Sequence, residues 1–140
     1  KNIAAINDAY MSLNQSRVIL TRIQLRIATS KLTGTEADIS TLFGQSRTFQ
    51  QTAQDKFTLF KNTPGQNLQL NQQLEQTYKA YASALAEMQQ VLQHNDTAAA
   101  GKVPVAPTQS AFLENYTQWR ADQDRLTAPA WRRTAPLTST

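Results

Sequence analysis

Residues 13–31 read LNQSRVILTRIQLRIATSK. Apolar side chains recur in this stretch at three- and four-residue steps, as they do on one face of an α-helix, and no two-residue alternation competes. Carried back to the start of the chain, the same stripe takes in Ile3, Ile6, Tyr10, Leu13, Leu20 and Ile27. Three arginines interrupt it. Arg17 stands four residues after Leu13 and three before Leu20, where the period asks for an apolar side chain. Burying a guanidinium costs several kcal/mol unless an anion pairs with it. No Asp or Glu lies within a helical turn of Arg17; Asp8, the nearest, is nine residues away.

Arg22 and Arg26 are one turn apart and share a face. At about 100° per residue, Arg22 lies roughly 140° and Arg26 roughly 180° around the helix from Arg17. One helix cannot aim all three at one ligand. Two copies crossing near Arg17 can, if one offers Arg17 and the other Arg22 and Arg26. The spacing therefore points to a homodimer with an anionic ligand at its interface. Arginine suits that task because its planar fork matches a carboxylate or phosphate. The plainer reading has solvated guanidinium heads with their stems lying over the core. That reading suits Arg22 and Arg26 better than Arg17.

The rest of the chain repeats the helical pattern. TGT at 33–35 ends the first segment, with Gly34 able to close a helix, and Thr35 with Asp38 gives the start signal of the next. Ile39, Leu42, Phe49, Ala53 and Phe60 form the second stripe, which stops at NTPG, 62–65. Leu70, Leu74, Tyr81, Leu85, Met88 and Leu92 form the third. It fades into NDTAAAGKVPVAP, 95–107, expected to be irregular. A fourth helix is expected after Pro107, carrying Phe112, Tyr116, Trp119 and Leu126 and limited by Pro129. Short connections make neighbours antiparallel, so the expected fold is all-α, an up-down-up-down four-helix bundle over residues 1–140 with both chain ends at one end.

Composition narrows the function classes. With 40% hydrophobic and 17% charged residues, the 140-residue chain has enough apolar matter for one modest core, against disorder. A net charge of +4 favours anionic partners only weakly, and the basic residues are scattered, unlike a nucleic-acid-binding patch. Zero Cys excludes disulfides, thiolate metal sites and a Cys nucleophile. His94 is the single His, close to Asp96 at a helix end, and reads as a capping or solvated residue rather than a metal ligand or catalyst. Glu36, Glu75, Glu87 and Glu114 lack the His partners three residues on that a metal bundle needs. There is no phosphate loop and no nucleophile elbow. Neither an enzyme nor a cofactor is expected. An adaptor bundle, whose surface binds a protein and whose arginines stay wet, is the competing class. Trp131 with Arg132 and Arg133 suggests the approach to a membrane interface. No run of 18 apolar residues occurs, and the chain begins at Lys1 without initiator Met or signal peptide, as a piece of a longer protein would.

LNQSRVILTRIQLRIA, 13–28, resembles the first periplasmic helix of bacterial methyl-accepting chemotaxis receptors of the aspartate-receptor type. Ligand-binding arginines there follow the spacing of Arg17, Arg22 and Arg26. APTQSAFLENYTQWRADQDRL, 106–126, resembles that family's fourth helix, which opens on a P-T-Q element matched by Pro107, Thr108 and Gln109, with the Thr touching ligand. YASALAEMQQVL, 81–92, is more weakly similar to the third helix. The resemblance implies a dimeric sensor domain excised from between two transmembrane helices. It implies a place in the periplasm, at the bacterial inner membrane. Ligand would bias a small piston-like shift of the last helix, which controls a cytoplasmic kinase. Ala106 departs from the family: the amino-acid receptors carry Gln there, which helps hold the ligand's ammonium. Ala106 favours an organic acid without an amine, a di- or tricarboxylate such as malate or citrate, with an aromatic acid or an amino acid as alternatives. Thr108 is expected to bind a carboxylate or hydroxyl. Thr21, a turn after Arg17, is a further candidate contact, as is Gln109.

Overall fold

The computed structural model describes residues 2–29, 36–128 and 131. Four long helices carry the described chain: α1 (Asn2–Thr29), α2 (Glu36–Asn62), α3 (Leu68–Gln93) and α5 (Val105–Thr127). A short helix, α4 (Thr97–Lys102), precedes the last. The architecture is the four-helix bundle that the periodicity implies. TGT at 33–35, Pro129, Arg132 and Arg133 lie outside the described residues.

Local chemistry sets the boundaries. The Asn67 side chain accepts from the Leu70 N–H at 3.1 Å and caps α3. His94 closes the same helix: its ring Nδ1 lies 2.9 Å from the Gln90 carbonyl. Asn95 follows with φ 59°, the left-handed turn-out that Asn tolerates. His94 is thus a capping residue, as expected. Asp96 caps α4 by accepting from the Ala99 N–H at 2.9 Å. The stretch expected to be irregular is therefore partly helical. The last helix also begins before Pro107, at Val105. Pro107 is its third residue, where the missing N–H has no intrahelical partner to lose and the fixed φ suits the helix.

Helix α1 packs along α2, and α3 along α5; the two pairs join mainly through α1 and α3. Near the α2–α3 turn the core is aromatic. Phe57 stacks on Tyr78 at 4.1 Å between ring centroids and Trp119 meets the edge of Phe60 at 5.5 Å, while Tyr10 stacks on Phe112 at 4.8 Å where this core meets the polar groups of the Arg17 groove. Trp119 Nε1 donates to Asn71 Oδ1 at 2.9 Å, and Asn71 Nδ2 donates to the Gly65 carbonyl, tying the turn to the core. A Cβ at Gly65 would sit 3.0 Å from Trp119 Nε1 and closer still to the Gln123 amide. Only Gly lets the turn approach that tightly.

Further along the bundle the core turns polar. Ser46 Oγ donates to Gln89 Oε1 at 2.8 Å, which leaves Ser16 to donate to Ser46 Oγ, also at 2.8 Å. Gln50 Nε2 closes the layer on Gln89 Oε1 at 2.8 Å and Ser16 Oγ at 3.1 Å. Ser16, not Arg17, fills the inward position between Leu13 and Leu20. Arg17 was expected in the core stripe but is half-buried beside it. A small hydroxyl three residues after Leu13 can be buried once its hydrogen bonds are met, whereas a guanidinium next to it can swing to the edge.

Candidate ligand-binding grooves on α1

Two open grooves flank α1 in its second half. Asn14, Arg17, Val18 and Thr21 line one, and Gln109 of α5 forms its far wall. Arg22 and Arg26 line the other, facing Asp38, Thr41 and Leu42 of α2. One chain thus separates Arg17 from Arg22 and Arg26, as the helical angles require. None of the three arginines forms an ion pair with a carboxylate among the described side chains. Cationic heads left unpaired at a groove are available to an anionic ligand.

A hydrogen-bonded cluster walls the Arg17 groove. The Tyr81 hydroxyl donates to Asn14 Oδ1 at 2.7 Å. Gln109 Nε2 donates to the Tyr10 hydroxyl at 3.0 Å and to Asn14 Oδ1 at 3.2 Å. Burial pushes the Tyr81 hydroxyl pKa well up, with Arg17 pulling weakly the other way, so Tyr81 remains a donor through the physiological range. Helices α1, α3 and α5 meet in this cluster.

The other candidates take more varied places. Thr21 is exposed on the Arg17 groove. Thr108 is half-buried, and its hydroxyl is within 2.7 Å of the Pro104 carbonyl and 3.0 Å of the Val105 carbonyl. Its one proton is spent on the first turn of α5, so toward a ligand it presents lone pairs. Ala106 is exposed in the same turn and offers only a methyl group. Asn14, Tyr10, Tyr81 and Asp38 were not read from the sequence as parts of a site. Asn14 lies three residues before Arg17 on α1, on the same side of the helix, which could have flagged it. Asp38 carries no signal, because only the α1–α2 packing brings it beside Arg22 and Arg26.

Among the described residues no group of His, Asp or Glu is arranged to hold a metal ion. No described helix is long and apolar enough to cross a membrane. The chain belongs to the Tar ligand binding domain homologue family, whose profile matches residues 1–126. It is therefore an extracytoplasmic ligand-binding domain of chemoreceptor type, from a sensor family and not a catalytic one. A comparison with curated proteins gives no match.

Proposed function

We propose that the chain is the periplasmic sensor domain of an inner-membrane chemotaxis receptor. It binds a small di- or tricarboxylate such as malate or citrate between two copies of itself. Helices outside residues 1–140 carry it across the membrane, and ligand binding alters a cytoplasmic kinase through them. A two-state equilibrium can move only by the ligand's differential affinity for the two states.

One observation carries the two-copy site. Met11, Val18 and Leu25 are 50%, 59% and 63% exposed, and they recur every seven residues along α1. Such a stripe is the seam of a helix pair. Taking Val18 as the origin, Arg17 lies roughly 100° to one side; Arg22 and Arg26 lie roughly 40° and 80° to the other. When two parallel copies meet on this stripe under two-fold symmetry, each side of one helix faces the opposite side of its partner. Arg17 of one copy then stands across the seam from the partner's Arg22 and Arg26. Two equivalent sites result, each with three cations drawn from both chains.

Three cations outweigh Asp38, the one carboxylate among the described residues that line the grooves, and with the Ala106 methyl group they support a ligand rich in carboxylates without an ammonium. Titration calorimetry with malate, citrate and aspartate tests that preference, and tighter binding of aspartate overturns it. Mixing subunits tests the shared site. Arg17→Ala and the double variant Arg22→Ala/Arg26→Ala are each expected to lose binding. Their heterodimer regains one intact site and therefore binds at up to half its sites. A heterodimer that forms yet does not bind shows that the arginines do not act together.

A further inference from the structure

The orientation of two amides decides what the Arg17 groove can read besides charge. Asn14 Oδ1 accepts from both Tyr81 and Gln109. Turning the Asn14 amide alone would set its NH2 against that of Gln109. Turning both would strand the proton of Tyr81, which is fully buried. The observed orientation is the one that satisfies the buried donor. In it Gln109 spends both amide hydrogens, on Tyr10 and Asn14. Gln109 Oε1 is left without a partner among the described residues, on a side chain that lines the groove with Arg17.

We infer that Gln109 Oε1 accepts a hydrogen bond from a hydroxyl of the ligand, so that the groove selects hydroxy-carboxylates over carboxylates lacking the hydroxyl. The inference rests on the proposed carboxylate site and names what that site reads next to the charge. A single neutral carbonyl oxygen satisfies the one donor of a hydroxyl. It cannot satisfy an ammonium, which brings three donors and a full charge. The same acceptor therefore favours a hydroxy acid over an amino acid. Tyr10 acts through Gln109 as a positioning residue, since its hydroxyl holds one amide hydrogen and fixes the amide in the orientation that leaves Oε1 free to accept.

Malate and succinate differ by one hydroxyl and serve as the probes. Calorimetry on the wild-type chain is expected to show malate binding about tenfold more tightly, the scale of one well-placed hydrogen bond. Gln109→Met keeps the length of the side chain and removes the acceptor. It is expected to bring the two affinities within about twofold of each other while succinate binding stays within about threefold of wild type. Tyr10→Phe leaves Gln109 in place but loosens it, and is expected to cut the preference by about two- to threefold with succinate unchanged. A malate preference that survives Gln109→Met overturns the inference, as does an equal loss of both ligands in either variant, which marks a packing role. Equal affinities in the wild type overturn it too, while leaving the carboxylate site standing. If neither acid binds the wild type, the carboxylate reading fails and this inference fails with it.

Discussion

The two halves of the bundle are held by different forces. The half next to the α2–α3 turn is filled by Phe57, Phe60, Tyr78, Phe112 and Trp119, all almost fully buried. The half beside the arginine grooves has a core crossed by Ser16, Ser46, Gln50 and Gln89, with Asn14 and Gln109 bonded to two tyrosines nearby. Aromatic burial is worth about 1.5–3 kcal/mol per side chain and depends little on direction. A satisfied buried hydrogen bond returns about 1 kcal/mol net but fixes geometry, because leaving either partner alone costs more than the bond returned. One half thus holds the aromatic share of a core that continues through Leu20, Ile23, Leu85 and Leu92. The other supplies a fixed arrangement of donors and acceptors, and it is the half that carries the candidate site.

The contrast breaks first, if it is wrong, at Trp119. Trp119→Ala removes the largest buried side chain and strands Asn71 Oδ1. It should cost about 3–5 kcal/mol in urea unfolding. A loss under about 1.5 kcal/mol would mean that the aromatic half is not the anchor.

The polar half should respond less. Gln89→Ala removes the acceptor shared by Ser46 and Gln50. Ser46 then loses its acceptor and Gln50 keeps only the two serine hydroxyls, for about 1–3 kcal/mol. Adding Ser46→Ala should cost much less than its effect in the wild-type background, because the two residues share one network. Additive losses would show the layer to be a set of independent contacts.

Arg17→Ala should affect function far more than stability. Arg17 is half-buried at a groove and has no ion-pair partner among the described side chains, so the unliganded fold should change by no more than about 0.5 kcal/mol. Helical circular dichroism should be retained while malate binding is lost. A large loss of stability would place Arg17 in the fold and not in the site.

The smallest effect is expected at Glu75, on the α2–α3 surface, where Lys61 and Lys79 each approach it at 3.3 Å. Partial burial pushes the Glu75 carboxyl up, and the two lysines outweigh that and hold it below its ordinary value. A depressed carboxyl pKa stabilises the fold above the ordinary carboxylate range and loses that contribution as pH falls through the lowered value. Glu75→Gln should therefore lower the melting temperature slightly at pH 7, by the equivalent of about 0.2–1 kcal/mol. The gap from wild type should narrow in high salt and close in acid. A gap that is constant with pH would assign the effect to packing.

Much of this was legible in the sequence because helical period is a local property. The stripes through Leu13 and Leu20, through Leu74, Tyr81 and Leu85, and through Phe112 and Trp119 needed only spacing, and NTPG marked its turn by backbone chemistry. The same arithmetic put Arg17 on a different side of α1 from Arg22 and Arg26, and the grooves bear out that separation. What the tertiary structure decided was which polar groups meet. Ser16 outcompetes Arg17 for the inward position because Ser46, Gln50 and Gln89, from two other helices, satisfy its hydroxyl. Asp38 joins the Arg22 groove across the α1–α2 interface. Gln109 lies 95 residues from Asn14, so no local pattern could join them or say which way either amide faces. Apolar burial needs only a face, and a face is written in the spacing of residues; a hydrogen bond needs a partner at a distance and an angle, and the partner is found only when the helices pack.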